Sequence, residues 1–537
     1  MLVRYTGIMR FQLPPPVRSA LLTILVVAVA STLVSCRGVE DAAPIHPFIL
    51  FGVDGADWDV IEWMWEQNRL PHLKRLADRG VAAPLETFHH ASPVIWTSVA
   101  TGVMPDVHGI TEFVVPTGKG DQPVSSTLRR VPALWNMVTA TGGRVAVLGW
   151  WASWPVEEVN GTIISDRAIH EIPDRVWPPE RLAVFDTGLE ELRMEEEGAK
   201  PSSMLEADRI FGRLAVGFAG EDYDLILLYL RGVDISCHFH WQAFEPEAFP
   251  AAEPSELEAE KELIAREYEL VDRTLGELLA ASGPDINIIV MSDHGFDAMD
   301  GETTHIRLNF DAVLEHLGFL TKAGEGVDFS RTELYSYASP ERSLAKKIRF
   351  ALTGREEGGR VTAAEQKAIR DRLETALDTV TYAGGAPVFT VRDATAKKRD
   401  RGADFVVEVL TDNAQKPLMV AGVPFRDAIR SLDHLTGTHG RKTPGIFVAA
   451  GPDIDPKARP EGVRVIDVPP TLLYAIGLPV GEDFAGRART ELFTESFRTT
   501  HSLQTIPTWG APTEGEGRAS DVDEELLDQL RALGYIE

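Results

Sequence analysis

Six carboxylate and imidazole side chains lie in short motifs that are spread along the sequence. The motifs surround each of them with glycine or apolar residues, as in "MSDHGF" and "RGVDISCH". Mixed histidine and carboxylate ligands suit zinc, or a similar borderline metal, better than Mg²⁺ or Ca²⁺, with Mn²⁺ as the other possibility. Six groups exceed one tetrahedral site and match a pair of divalent ions. The candidate ligands are Asp54, Asp234, His238, Asp293, His294 and His439.

A serine supplies the nucleophile that such a metal pair would need. Two-metal centres are the usual device for displacement at phosphorus. Ser92, in "FHHASPVIWTSVATG", opens a helical pattern in which Pro93 takes the first helical position. Its hydroxyl would lie at the positive helix end, among N–H groups that bind anions. For an isolated serine, a simple N-cap role is the stronger interpretation, and only a neighbouring metal pair favours the nucleophile.

Continuous apolar runs alternate with helical patterns and predict the elements that position these residues. Such runs fit strands that are covered on both faces, so we expect parallel strands in a doubly wound α/β sheet flanked by helices. The predicted strands are 47–54, 143–151, 223–234, 286–293 and 445–451, and the predicted helices are 57–79, 131–141, 254–282 and 465–477.

Acidic residues stand at the carboxyl ends of several predicted strands. Asp54 ends the first run, Asp234 the third and Asp293 the fourth. A single acid there is more simply a turn or capping residue. Several acids at neighbouring strand ends would repel each other unless cations lie among them. Ligands of open α/β sheets also bind at this edge, so the pattern predicts a site there.

One segment interrupts the alternation, and the C-terminus departs from it. Residues 321–403 are rich in Arg, Lys and Glu and carry an amphipathic helix near 363–380, so we interpret them as an inserted cap subdomain. The catalytic core would comprise 47–320 and 404–498. Residues 499–537 are predicted to be a loose tail that ends in a short helix.

The N-terminus has the pattern of an export signal. Arginines precede an apolar run from Ala20 to Val34, which is short for a membrane span and ends at "LVSC". The motif resembles a lipobox, so residues 1–35 are interpreted as a lipoprotein signal peptide, Cys36 as the lipidated residue and 36–46 as a tether. The alternatives are a plain signal peptide or an anchor helix. Cys237 would then remain without a disulfide partner.

The net charge limits the class of partner. A formal charge of −28 argues against a nucleic-acid polymer, which is held by Lys and Arg. It leaves room for a small phosphate ester, because bound cations can invert the field inside one cleft. Together with the lipid on Cys36, this predicts an enzyme held on the membrane in the cell envelope, on the periplasmic side or at the outer membrane. The oligomeric state is left open.

The motifs in chain order resemble those of a known family. "VDGADWD", "SPVIWTSVATGVMPDVHGI", "VDISCH", "MSDHGF" and "GTHG" are similar to motifs of the alkaline phosphatase superfamily, and most similar to its type I phosphodiesterase/nucleotide pyrophosphatase branch. The resemblance covers most of 47–320 and 404–490. It implies an alkaline phosphatase-like fold and hydrolysis of phosphodiester or pyrophosphate bonds.

The resemblance also assigns roles to the matching positions. One implied metal site comprises Asp54, Ser92, Asp293 and His294, and the other comprises Asp234, His238 and His439. Ser92 matches the family's nucleophile, which attacks phosphorus and forms a phospho-seryl intermediate that water then hydrolyses.

One position departs from the family pattern, and two other functions stay open. Phe113 stands where the nucleotide pyrophosphatases have an asparagine that binds a phosphate oxygen, which puts nucleotide specificity in doubt. One alternative is a phosphotransferase, for example of phosphoethanolamine to an envelope lipid or glycan. The other is an inactive binding lipoprotein, which would be expected to lack at least one ligand, whereas all are present here.

Overall fold

The structure is a computed structural model of the 537-residue chain. It describes residues 46–536 except for 118–119, 196–202, 250–253, 300–305, 325, 338, 340–343, 397–399, 401, 411–417, 426–428, 432–434, 440–442 and 534. The predicted signal peptide, Cys36 and most of the tether lie outside the described residues. No helix in the described part of the chain combines the length and apolar character that a membrane span requires.

A central sheet organises the molecule. Among the described residues it has nine strands, in the spatial order β9-β2-β8-β7-β1-β6-β3-β4-β5. Their bounds are β1 Phe48–Val53, β2 Val81–Glu86, β3 Val145–Leu148, β4 Gly161–Ile164, β5 Val176–Trp177, β6 Leu225–Leu230, β7 Asn287–Met291, β8 Gly445–Ala450 and β9 Val463–Arg464.

The middle of this sheet is parallel, as predicted. β7, β1, β6, β3 and β4 are parallel neighbours. The prediction was wrong for the run at 445–451, because β8 lies antiparallel to both β7 and β2. An apolar run shows that both faces of a strand are buried, but it does not indicate the direction of the strand. The alternating segment Val81–Glu86 was not predicted as a strand.

Helices cover both faces of the sheet. In the described part of the chain they are α1 Trp58–Glu66, α2 Pro71–Arg79, α3 Ser92–Thr101, α4 Pro105–His108, α5 Leu134–Ala140, α6 Leu182–Glu195, α7 Ser203–Ala219, α8 Gly232–His240, α9 Pro254–Ser282, α10 Phe310–His316, α11 Gln366–Leu377, α12 Val468–Ala475, α13 Glu495–Thr500 and α14 Asp523–Ala532. The helix predicted over 57–79 is divided at Leu70, because a residue before proline avoids the helical conformation.

Alternate residues of β1 enter two separate cores. Ile49 and Phe51 pack into a core that is shared with α1, α2, α7 and α9. Phe48 and Leu50 pack into a second core, shared with α3, α5 and α12. Because successive side chains of a strand point to opposite faces, one buried strand supports both layers. The result is the doubly wound, mostly parallel α/β architecture that the sequence predicts.

A third core lies between β7 and β8 in the sequence. It runs from Leu308 to Phe425, beyond both bounds of the insert predicted at 321–403. A four-stranded and a three-stranded antiparallel sheet surround α11 in this region. Their strands are Leu334–Ser336, Ala345–Phe350, Phe405–Val409 and Phe389–Asp393, then Val380–Tyr382, Leu418–Val420 and Val423–Pro424. The division of the chain into domains stays a prediction.

Short two-stranded pairs complete the described structure. They are Val114–Thr117 with Gly120–Pro123, Asp297–Ala298 with Gly437–Thr438, Ile306–Leu308 with Ile429–Ser431, Lys322–Ala323 with Gly326–Val327, and Val480–Gly481 with Thr505–Ile506.

Candidate active site

The predicted ligands meet at the carboxyl edge of three neighbouring strands. Asp54 follows β1, and Asp293 and His294 follow β7 after a single residue. Asp234 does not end a strand as predicted, since β6 stops at Leu230 and Asp234 lies in the first turn of α8. Because β7, β1 and β6 are adjacent and parallel, their carboxyl ends deliver these acids to one place.

The six side chains form two groups, each able to hold a metal ion. Within each group, one donor atom from every residue lies within 4.8 Å of the others. The first group is Asp54, Asp293 and His294, and the second is Asp234, His238 and His439. The two groups adjoin, because His294 Nε2 lies 3.9 Å from Asp234 Oδ1. The division agrees with the two sites that the family resemblance implied.

Helical spacing explains the pairing of Asp234 with His238. The two residues lie four apart on α8, so they share one face of the helix, and His238 Nε2 lies 3.4 Å from Asp234 Oδ1. His238 Nδ1 lies 2.9 Å from the carbonyl oxygen of Gly437. A carbonyl only accepts, so Nδ1 carries a proton, and Nε2 is the nitrogen that faces Asp234 and could bind a metal. His240 belongs to neither group, as its helical phase predicts.

Ser92 lies beside the first group. It is the first residue of α3, with Ala91 as the N-cap, so Pro93 is second rather than first in the helix. The side chain does not cap its own helix; its Oγ donates to Asp54 Oδ1 at 3.3 Å. Ser92 is 1% exposed, which is unusual for a serine without a structural role. The N-cap alternative is therefore not supported.

Close backbone packing holds Ser92 and Asp54 in place. A Cβ at Gly52 would lie 2.7 Å from the ring of Trp96, so only glycine lets α3 pack this tightly on β1. Gly55 has φ +66 and turns the chain directly after Asp54, a conformation that glycine adopts without strain. Its N–H donates to Asp293 Oδ1 at 3.3 Å and so joins the two strand ends.

The charges of the site call for cations. Burial and then the carboxylates of Asp293 and Asp234 raise the pKa of Asp54 well above its usual value. Burial raises the pKa of Asp293 to about 7. Burial alone would also raise the pKa of Asp234, but the adjacent His238, His294 and the Tyr535 hydroxyl together lower that pKa. Carboxylates packed this closely favour protonation or a bound cation.

Three buried atoms of the site that could bind a metal lack a hydrogen bond. Among the described residues, Asp234 Oδ1, Asp293 Oδ2 and His294 Nε2 are buried without a hydrogen-bond partner. His294 Nδ1 lies 3.1 Å from the carbonyl oxygen of Gly295, which leaves Nε2 directed at Asp54 and Asp293, 3.5 Å from each. Buried polar atoms are rarely left unsatisfied, and these converge from ligand-type side chains. The residues therefore fit a metal pair.

The sequence did not indicate two tyrosines whose hydroxyls form hydrogen bonds with the candidate metal ligands. The hydroxyl of Tyr229 donates to Asp54 Oδ2 and accepts from Trp151 Nε1 at 2.6 Å. The hydroxyl of Tyr535 donates to Asp234 Oδ2 at 2.8 Å and lies 2.7 Å from His238 Nε2. Tyr229 is the only polar side chain inside the buried run of β6, which is a usable signal. Nothing local distinguishes Tyr535.

Two further acids, also missed, position the loops that carry the ligands. Asp57 accepts from the N–H groups of Asp59, at 2.8 Å, and Phe296, at 3.0 Å. Asp208 accepts from the N–H groups of Arg231 and Gly232 at the start of α8. Burial raises the pKa of each of these carboxyls to about 6. Their hydrogen bonds orient the segments that present His294 and Asp234.

Solved structures similar to this chain include two kinds of protein. One is the murine ectonucleotide pyrophosphatase/phosphodiesterase 5, with 15% identity and a TM-score of 0.46, covering 84% of this chain and 100% of that chain. The human form has 15% identity and a TM-score of 0.47 over the same shares of both chains. Another is the phosphonoacetate hydrolase of Sinorhizobium meliloti 1021, in complex with phosphonoformate, with 16% identity and a TM-score of 0.46 over 81% of this chain and 95% of that chain.

The family is established by its sequence model rather than by a close relative. A comparison with curated proteins gave no match. The model of type I phosphodiesterase/nucleotide pyrophosphatase matches residues 48–418, which is well over half of the chain and includes Ser92 and all predicted ligands except His439. The chain therefore belongs to the type I phosphodiesterase/nucleotide pyrophosphatase family of phosphate-ester hydrolases.

Proposed function

We propose that this protein is an exported hydrolase with two divalent metal ions that cleaves phosphate esters through Ser92, with phosphodiester or pyrophosphate bonds as its favoured substrates. The observation that carries the proposal is the contact of Ser92 Oγ with Asp54 Oδ1 at 3.3 Å. It brings a buried hydroxyl at a helix N-terminus against one of two adjoining groups of metal-ligating side chains. Membership of a phosphodiesterase family supports the choice of bond.

The residues that would hold the metals follow from the geometry. Asp54, Asp293 and His294, with Ser92 beside them, would hold one ion, and Asp234, His238 and His439 the other. Zinc suits this mixture of carboxylate and imidazole donors, and Mn²⁺ is the second choice. When bound, such ions lower the pKa of hydroxyl groups and neutralise the charge that develops on phosphate oxygens.

The chain's own residues account for orientation and for exclusion of water. The start of α3 places Ser92 where backbone N–H groups favour an anion. Asp54 Oδ1 accepts a hydrogen bond from the hydroxyl of Ser92, and Asp54 Oδ2 accepts one from the hydroxyl of Tyr229. The apolar core beneath the site keeps Asp54, Asp293 and His294 buried, which strengthens each electrostatic contact.

The proposed reaction has two displacements at phosphorus. The Oγ of Ser92 forms a bond to phosphorus, the bond to the leaving ester oxygen breaks, and the leaving group departs as an alcohol that carries the proton lost by Ser92. Water then attacks phosphorus, the Ser92 Oγ–phosphorus bond breaks, and the serine hydroxyl is restored. Interception of the same intermediate by another hydroxyl would make the protein a phosphotransferase, the alternative left open by the sequence.

Substitution of Ser92 tests this proposal directly. We expect Ser92→Ala to lose at least about 1000-fold in turnover of bis(4-nitrophenyl) phosphate while it keeps its metal content. Ser92→Thr retains a hydroxyl and should restore measurable turnover. The control is Ser502→Ala, which changes an exposed serine outside the site. Full turnover by Ser92→Ala would reject the nucleophile, and turnover of neither diester nor monoester by the wild type with Zn²⁺ or Mn²⁺ would reject the hydrolase.

We also propose that the enzyme is anchored by a lipid on Cys36 in the cell envelope. The support is the sequence pattern of residues 1–36 alone. Cys36→Ala should move the protein from the membrane fraction to the soluble fraction and abolish labelling by a palmitate analogue. An unlabelled wild-type protein would reject the anchor without affecting the assignment of the hydrolase.

A further inference from the structure

The C-terminal segment returns to the active site. Helix α14, Asp523–Ala532, lies against the strand Gly120–Pro123, and the chain then brings Tyr535 to the second metal group. Leu527, Leu530 and Ile536 are buried in one small core with Ala91 and Phe113. Ala91 is the N-cap of the helix that presents Ser92, so this segment packs against the start of that helix.

Buried polar contacts fasten the segment to the main body. The guanidinium of Arg167 is only 2% exposed and donates to Asp523 Oδ1 at 2.9 Å and Ser520 Oγ at 3.0 Å. It also donates to the carbonyl oxygen of Val124 at 2.8 Å. Breaking this pair would leave the buried charge of Arg167 uncompensated, so the pair ties the segment to the main body.

One apolar wall lines the same pocket as Ser92. The pocket has a cavity volume of about 40 Å³, and Asp54, Ser92 and Asp234 line its polar side. Four side chains that also line it form what we call the apolar wall: Phe113, Leu530, Leu533 and Tyr535. The rings of Phe113 and Tyr535 stack with centroids 4.2 Å apart and an interplanar angle of 13°.

The arginines that line the same pocket are engaged by protein groups. Arg167 binds the C-terminal segment, and the guanidinium of Arg231 lies 5.2 Å from the ring centroid of Trp151 and donates to the carbonyl oxygen of Asp166. A substrate group that reaches the apolar wall therefore meets carbon surface and aromatic faces. Apolar and aromatic groups gain free energy from such burial, whereas a polar group would lose hydrogen bonds to water.

We propose that the apolar wall selects phosphate esters that carry a small apolar or aromatic group next to phosphorus. The proposal rests on the proposed function and names its substrate class. Most of the wall comes from the last residues of the chain, which the family model, ending at residue 418, does not include. The C-terminal segment is thus a specificity-determining part of the enzyme, and Leu530 and Leu533 are its main apolar surfaces.

Two diesters with the same leaving group test the selection. Phenyl 4-nitrophenyl phosphate and methyl 4-nitrophenyl phosphate both release 4-nitrophenolate and differ only in the ester group that remains. We expect the wild type to prefer the phenyl ester by about 10-fold in kcat/KM, the scale of a few apolar carbons in a pocket. Leu530→Ala and Leu533→Ala should each lower this preference several-fold through KM. Leu503→Ala, in an exposed position, is the matched control and should keep it.

Substitution of Tyr535 separates the contribution of its ring to the preference from that of its hydroxyl. Tyr535→Phe keeps the ring that stacks on Phe113 and should keep the preference for the phenyl ester, whereas Tyr535→Ala should lose it. An unchanged preference in Leu530→Ala, Leu533→Ala and Tyr535→Ala, or a wild type that prefers the methyl ester, would overturn the proposal.

Ligand binding provides a measurement that needs neither turnover nor a variant. Calorimetry of the metal-loaded wild type should show phenylphosphonate binding about 10-fold more tightly than methylphosphonate. Equal affinities would overturn the proposal that the apolar wall selects apolar groups. A protein that shows the binding preference but hydrolyses no phosphate ester would contradict the proposed function but not the selectivity of the apolar wall. The experiments therefore distinguish failure of one proposal from failure of the other.

Discussion

The imidazole rings of His294 and His439 lie nearly parallel, with centroids 3.6 Å apart and an interplanar angle of 8°. His294 belongs to the first metal group and His439 to the second, so this stack is where the two groups meet. Two imidazoles at this distance are favourable when both are neutral. Metal coordination requires the neutral form, so the stack is compatible with both sites being filled together.

The first prediction concerns the number of metal ions. We expect two ions per chain in the wild type, measured by mass spectrometry of the metal content after dialysis. His238→Ala removes one donor of the second group and should leave about one tightly bound ion, because a ligand is lost from one group only. His240→Ala changes the neighbouring histidine on the same helix and should keep two. Equal metal contents in the two variants would contradict the assignment.

The second prediction concerns the hydroxyl of Tyr229. Tyr229→Phe leaves Asp54 Oδ2 without its donor, and loss of such an outer contact weakens metal binding by about 10- to 100-fold. Tyr268→Phe is the control, because its buried hydroxyl only accepts from the N–H of Asp57 at 2.9 Å. Competition with a fluorescent zinc chelator measures both affinities. A larger loss in Tyr268→Phe than in Tyr229→Phe would contradict the role of Tyr229.

The third prediction concerns the packing of α3 on β1. Gly52→Ala would place Cβ 2.7 Å from the Trp96 ring, so we expect the free energy of unfolding to fall by about 1–3 kcal/mol. Gly188→Ala lies in helix α6 with no atom near the added Cβ, and it should raise that free energy by about 0.5–1 kcal/mol. Urea denaturation measures both, and the same sign for the two variants would contradict the packing argument.

The fourth prediction concerns pH and Glu267. Burial and then the carboxylate of Asp208 raise the pKa of Glu267 from 4.5 to about 7, against the opposing charge of Arg209. The folded state then binds this proton more tightly than the unfolded chain, so the contribution to stability is present below pH 4.5 and is lost as the pH rises to about 7. Glu267→Gln should therefore stabilise the protein at about pH 8, by on the order of 1 kcal/mol, and have little effect at about pH 4.

The control for Glu267 lies on the same helix. The side chain of Glu258 is 78% exposed, so Glu258→Gln should leave the pH dependence of unfolding unchanged. Urea denaturation across this pH range measures all three proteins. A wild type whose stability does not fall between about pH 5 and about pH 8 relative to Glu267→Gln would contradict the raised pKa.

Local patterns account for what the sequence alone predicted correctly. The apolar runs that end at Asp54 and Asp293 identified buried strands and their polar ends, because a strand that is buried on both faces has apolar side chains at consecutive positions. The spacing of Asp234 and His238 identified one helical face for the same reason. Two of the three central strand ends, and the six side chains that the structure brings into two groups, were therefore recognisable before the chain was folded.

Other features depend on which segments become neighbours in space. The antiparallel direction of β8, the contact of Tyr229 with Asp54 and the arrival of Tyr535 at Asp234 all join distant parts of the chain. Residue type and spacing do not predict these contacts, because each contact depends on how helices and strands from distant parts of the chain pack together. The sequence by itself determined the chemistry of the candidate ligands and two of the strands that present them, and only the tertiary structure decided how they group and which C-terminal surface lines the pocket of Ser92.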